Sequence, residues 1–217
     1  MLYNGRMRGM LISFEGGEGA GKSTQIELLR LKLSRMGKEV VVCREPGGTE
    51  ISEQIREVVL SHKNTGMAVM TEVLLFQAAR AQIYQEIVLP ALALEKVVVM
   101  DRTRDSSVVY QGVVRKVGVE VIERLNDIST QSAKPDLTIL LDVPSEVGLK
   151  RRGESGEVNR IDKEEVEFHQ AVRQGYLDLA KKEPKRWVVV DAGKPVDEVA
   201  EKVWEAVKGL WFKKIHG

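Results

Sequence analysis

One short stretch, Gly16-Gly17-Glu18-Gly19-Ala20-Gly21-Lys22-Ser23, constrains this chain more than any other. It satisfies G-x-x-x-x-G-K-[S/T], and it lies between the apolar run Met10-Leu-Ile-Ser-Phe14 and a helical pattern from about Ser23 to Met36. Glycines let the backbone turn tightly, so that successive N–H groups point inward at phosphate oxygens. The start of the following helix adds its positive dipole end. Lys22 supplies a point charge for the β- and γ-phosphates, the Ser23 hydroxyl can ligate Mg²⁺, and Thr24 follows at the helix start. The stretch therefore predicts a nucleoside triphosphate site held by residues 16–24. It does not define the reaction.

The rest of the chain extends this strand-turn-helix unit. Val40–Cys43, Lys96–Asp101, Leu137–Asp142 and Trp187–Asp191 are further strand-length apolar runs, separated by helical patterns. Strands rich in Val, Ile and Leu predict a sheet covered on both faces. The fold expected is an α/β, P-loop three-layer sandwich with a five-stranded parallel sheet flanked by helices. Residues 1–217 read as one domain, which suits this length. Gly37 is placed to stop the first helix, and the Pro and Gly residues of Arg44–Thr49 require a loop. Glu50–Leu60 reads as a helix. Thr71 is a candidate cap for a long helix to about Leu89, which Pro90 bends or ends. A final helix follows Pro195. Gly153–Gly156 interrupts two helical patterns and predicts a mobile loop.

Composition narrows the function. Lys+Arg 33 against Asp+Glu 32 leaves a net charge of +1, so the overall basic footprint of a nucleic-acid binder is missing. Cys43 is a single cysteine, and His62, His169 and His216 are far apart, which argues against a disulfide framework and a zinc cluster. No apolar run approaches ~18 residues, and Met1–Arg8 has no secretory pattern. A cytoplasmic protein with no membrane partner is the expectation. Asp101, ending a strand, is a candidate second carboxylate of a magnesium site.

From Gly9 to about Leu210 the chain resembles thymidylate kinases, within the P-loop nucleoside monophosphate kinases. The resemblance rests on an ordered set of motifs: Phe14–Thr24, Arg44-Glu-Pro-Gly-Gly-Thr49, Phe76-Gln-Ala-Ala-Arg80, Asp101-Arg102 with Ser106-Ser107 and Tyr110-Gln111-Gly112, and Pro135–Val143. It implies a phosphotransferase with a phosphate acceptor, moving the γ-phosphate of MgATP to dTMP in dTTP synthesis. Homodimers are the family's assembly, and the apolar helix from Thr71 to Leu94 offers a surface for one.

Residue readings stand beside this. Phe76 and Arg80 are four apart on a helix and share a face, so a ring can stack a base while the guanidinium reaches its carbonyl edge. Arg102 and Arg44 are candidate clamps for the acceptor phosphate. Glu45 can organise magnesium-bound water or these arginines. The resemblance implies that Glu18 accepts from the acceptor's 3′-hydroxyl, that Ser107, beside Ser106, faces N3 of the base, that Tyr110 fills the space of a 2′-hydroxyl, and that Gln111 belongs to the same pocket. A lid at about 150–161 carries Arg151, Arg152 and Arg160, with Arg151 the first choice for the transition state and Lys22, Asp101 and Arg102 completing the catalytic set. Some thymidylate kinases place a catalytic Arg directly after the loop acid; here that residue is Gly19, as in the subgroup that draws the charge from the lid. Ser155 stands where that lid has an Arg, and Thr103 where an aromatic usually follows Asp-Arg. The rival readings are a kinase for another acceptor and a nucleotide-switch ATPase.

Overall fold

A computed structural model describes residues 9–154 and 159–216, the last four of these by backbone alone. Each apolar run forms a strand: β1 (Met10–Glu15), β2 (Val40–Arg44), β3 (Val97–Asp101), β4 (Leu137–Asp142) and β5 (Trp187–Asp191). All pair in parallel, in the order β2-β3-β1-β4-β5. The expected α/β fold with a five-stranded parallel sheet is therefore present.

Parallel pairing requires crossovers, and these supply the outer layers. They are α1 (Lys22–Arg35), α2 (Glu50–Leu60), α3 (Val69–Ile83), α4 (Leu89–Ala93), α5 (Arg104–Ser107), α6 (Val119–Ser129), α7 (Ser145–Glu154), α8 (Val166–Lys182) and α9 (Val196–His216). Side chains alternate across β1. Met10, Ile12 and Phe14 pack with Leu29 and Leu33 of α1 and Val199 and Val203 of α9, whereas Leu11 packs with Tyr84, Val88 and Leu92 on the other face. The helix after β1 and the helical segments before β3 thus cover opposite faces. β1 and β3 are neighbours, so a crevice opens at their carboxyl ends, where such sheets bind ligands.

Two expectations about the long helix are corrected. Thr71 is not its cap: the helix starts at Val69, after an extended Ala68 that makes no side-chain cap bond. Pro90 does not end it either. A wide π-helical turn, Tyr84–Val88, precedes the proline, and the chain continues helically through Leu89–Ala93. The widened turn takes up the missing N–H and the ring that would clash in a regular α-turn. A second π segment, Val108–Val114, continues α5 and carries Tyr110 and Gln111. Among the described residues no helix is long and apolar enough to cross a membrane.

Candidate active site

Register levels the strand ends. Arg44 and Phe14 both pair with Asp101, so the carboxyl ends of β2, β3 and β1 open together. A cavity of about 800 Å³ lies over them. Glu18 to Thr24 line one part of it; Gly16 and Gly17 lie beneath, and their carbonyls accept from the buried Lys22 ammonium at 3.2 and 3.0 Å. Ser23 Oγ donates to Asp101 Oδ2 at 3.4 Å. Two hard oxygens, one from the first turn of α1 and one from the end of β3, thus meet beside the loop, a fit for a small divalent cation that takes its other ligands from phosphate and water. Among the described residues no group of three or more His, Cys, Asp or Glu could hold a metal.

The same cavity is also lined by Phe76, Arg80, Ser107, Tyr110 and Gln111, and by Arg44 and Arg102. Half-buried Phe76 and buried Arg80 do share a helix face. Arg80 is held rigidly: Nε donates to Glu45 Oε2 at 2.7 Å, Nη1 to Asn126 Oδ1 at 2.8 Å and Nη2 to the Thr103 carbonyl at 3.2 Å. Glu45 is buried, which raises its pKa against the opposing pull of Arg80. The arginine it holds is Arg80, not Arg44 or Arg102: its oxygens accept from Arg80 and Thr103, whereas Arg44 pairs with Glu53 and Arg102 with Glu18. Thr103 also finds its purpose. Its hydroxyl bridges Tyr84 at 2.8 Å and Glu45 at 3.3 Å in a fully buried position. Arg44 is half exposed and pairs with Glu53 at 2.9 Å.

Glu18 accepts from Arg102 Nη2 at 2.7 Å and from Tyr110 Oη at 3.0 Å. Burial opposes its charge, but Arg102, Lys22 and Tyr110 prevail and hold its pKa down at about 2. The Arg102 guanidinium also lies over the Tyr110 ring, 5.2 Å from its centre.

The three lid arginines separate. Arg151 and Arg152 project from α7 and line the cavity; Arg151 donates to the Ala192 carbonyl at 3.1 Å and Arg152 to Asp162 at 3.1 Å. Arg160 does not line it. Its guanidinium grips Glu72 at 2.5 Å and the Val59 carbonyl at 3.1 and 3.2 Å, which removes it as a candidate for the reacting phosphate in this arrangement. Ser155, Gly156 and Glu157 lie outside the described residues. The Gly19 position has a steric explanation. A Cβ there would come 1.9 Å from the Gly148 carbonyl, and a Cβ on Gly148 would come 2.2 Å from the Glu18 carbonyl. Backbone packs on backbone, so α7 docks against the phosphate loop where a side chain would otherwise stand.

Sequence reasoning missed a layer beneath the cavity. Glu15, fully buried at the end of β1, accepts from Ser13, Thr103 N, Ser106 and Tyr176. Burial first and Asp105 second raise its pKa to about 7, against Arg102. The signal was present: a carboxylate ends an otherwise apolar central strand. Ser106, expected at the base, belongs to this layer as well, though it still reaches the cavity. Arg56 of α2 was also missed; it lines the cavity and donates to the Pro46 carbonyl at 2.8 Å.

A phosphate loop at the switch point of a parallel sheet, facing a second pocket across arginines, defines a P-loop nucleotide kinase. The comparisons with known proteins narrow the class. A family model described as thymidylate kinase matches residues 14–203. A thymidylate kinase of Symbiobacterium thermophilum is 48% identical over 209 residues, 96% of this chain and 97% of that protein. One of Latilactobacillus sakei is 46% identical over 93% of this chain and 95% of that protein. The crystal structure of thymidylate kinase from Ehrlichia chaffeensis superposes with a TM-score of 0.75 at 33% identity, covering 92% of this chain and 98% of that one. The chain belongs to the thymidylate kinase family.

Proposed function

We propose that the protein transfers the γ-phosphate of ATP to dTMP, giving dTDP and ADP, and so serves dTTP synthesis. The observation that supports this reading is that Phe76, Arg80, Arg44 and Arg102 line one cavity with the glycine loop. ATP lies with its phosphates in residues 16–24, and the thymine ring stacks on Phe76 with Arg80 at its carbonyl edge. A phosphate oxygen of dTMP attacks the γ-phosphorus as the β–γ bridging P–O bond breaks. That oxygen is already ionised near neutral pH, so no general base is needed. Catalysis comes from alignment and charge neutralisation. Lys22 meets the β- and γ-oxygens, Arg102 the acceptor phosphate, and Arg151 or Arg152 the charge spreading over the transferred group. Glu18, already negative, orients Arg102 and accepts from the sugar hydroxyl, while Tyr110 blocks a 2′-hydroxyl. A magnesium ion held by Ser23 and Asp101 would neutralise charge on the triphosphate.

The chain acts as one domain whose lid, at about 150–161, excludes water. We read it as a cytoplasmic homodimer; the exposed Met70 and Leu74 of α3 offer an apolar contact. A panel of acceptors with MgATP, followed by ADP release, tests the function. Turnover with dTMP well above dUMP, dCMP and dGMP is expected; hydrolysis without any acceptor, unchanged by dTMP, would refute it.

A further inference from the structure

Arg102 reaches the cavity from backbone that an L-residue rarely adopts, with φ at 64°. Such strain persists only where the surroundings over-determine it. We propose that Glu15 is the positioning residue that fixes Arg102 for the acceptor phosphate, gripping it through backbone and side chain at once. On the backbone side, Arg102 N donates to the Phe14 carbonyl at 2.9 Å, and Thr103 N donates to Glu15 Oε1 at 2.9 Å. Both amides flanking the Arg102 α-carbon are thus held by consecutive residues of β1. On the side-chain side, Glu15 Oε2 accepts from Ser106 Oγ at 2.6 Å and Tyr176 Oη at 2.9 Å. Those two oxygens in turn accept from Arg102 Nη1, at 3.3 and 3.0 Å.

Direction follows from chemistry. Ionised, as it is above about pH 7, Glu15 only accepts, so it turns the hydroxyl protons toward itself and leaves their lone pairs for the guanidinium. Ser13 Oγ, donating to Oε1 at 3.0 Å, pins the carboxylate from a fourth side. Without that acceptor the hydroxyls are free to turn a proton on Arg102. Glu15 and Tyr176 are both fully buried and neither lines the cavity, so they act through Arg102 and touch no ligand.

This rests on the reading that Arg102 clamps the dTMP phosphate, and the test separates the two. Dissociation constants for dTMP, thymidine and ATP would be measured by calorimetry at about pH 8, above the raised pKa of Glu15, on the wild type, Glu15→Gln, Tyr176→Phe and the double variant. Thymidine has the base and sugar but no phosphate. Glu15→Gln is expected to weaken dTMP by about ten-fold or more, as for loss of a hydrogen bond to a charged group. Thymidine and ATP should stay within about two-fold. Tyr176→Phe should act in the same direction with a smaller loss, and the double variant should be no weaker than Glu15→Gln alone, since both lie on one path. Equal weakening of dTMP and thymidine in both single variants would overturn the proposal in favour of general packing, as would unchanged dTMP binding. A wild type that binds dTMP no tighter than thymidine would remove the Arg102 clamp itself, and the proposal with it. If Glu15→Gln does not fold, Tyr176→Phe decides by the same comparison.

Discussion

Lys22 extends its ammonium back along its own loop to the carbonyls of Gly16 and Gly17, a buried position with no carboxylate in hydrogen-bond contact. That position is desolvated, and Asp101 and Glu18 act on the ammonium only through space and against the like charge of Arg102, so the cation is poised for an anion. Lys22→Ala should lower kcat by roughly 10²–10³-fold, the usual cost of one preorganised charge-stabilising donor. Circular dichroism should remain that of the wild type, and a folded variant turning over at the wild-type rate would refute the role. Glu15 makes a prediction about stability. Its folded pKa, about 7, lies above the unfolded value of 4.5, so the native state binds the extra proton between these values. Its contribution is fully present below about pH 4.5 and is lost as pH rises through about 7. Glu15→Gln removes that loss. The urea midpoint of the variant, relative to wild type, should therefore improve steadily from pH 5 to pH 8; a constant difference would contradict the raised pKa. Lys22 and Ser23 were legible in the sequence because phosphate geometry fixes their spacing in the loop, and Asp101 because a carboxylate ends an apolar strand. Glu15 and Tyr176 were not, because their partnership spans 161 residues and no local pattern reports it.

Among the elements, α7 carries the most instructive arrangement. Its Gly148 meets the loop at Gly19, and this contact sets Arg151 and Arg152 over the cavity. Gly148→Ala should push the helix from the loop. A shift of about 1 Å in a charge near the reacting phosphate can cost on the order of 10²-fold. The expected result is a large fall in kcat with the dTMP affinity nearly kept; an unchanged kcat would show that α7 does not place the charge. Gly19 was recognisable in the sequence as a departure from the Arg-bearing loops, but its cause, a facing backbone from another element, was not. The central strands β1, β3 and β4 were legible because continuous burial leaves continuous apolar runs, and the partly exposed outer strands β2 and β5 keep valine-rich runs of the same length. Thr71 and Pro90 misled because tertiary packing began the helix earlier and a π turn carried it past the proline.

At the scale of the whole molecule, the sheet order puts the connections after β1 and β3 on opposite faces, and the cavity proposed to seat both nucleotides lies over the carboxyl ends of these strands. Periodicity predicted the parallel sheet; the separation of the three lid arginines needed their partners, such as Glu72 and Asp162, to be seen in space. The exposed apolar face of α3 makes the proposed homodimer testable: the wild type should sediment as a dimer and Leu74→Glu should shift it toward monomer, whereas a monomeric wild type would refute the dimer and an unaltered dimer would place the interface elsewhere. The account as a whole depends on two distinct seats in one cavity. Calorimetric titration of dTMP and of ATP into wild type and Phe76→Ala tests it most directly. Loss of the stacking ring should weaken dTMP by about 1–3 kcal/mol and leave ATP nearly unchanged; equal losses for both ligands, or none for dTMP, would contradict it.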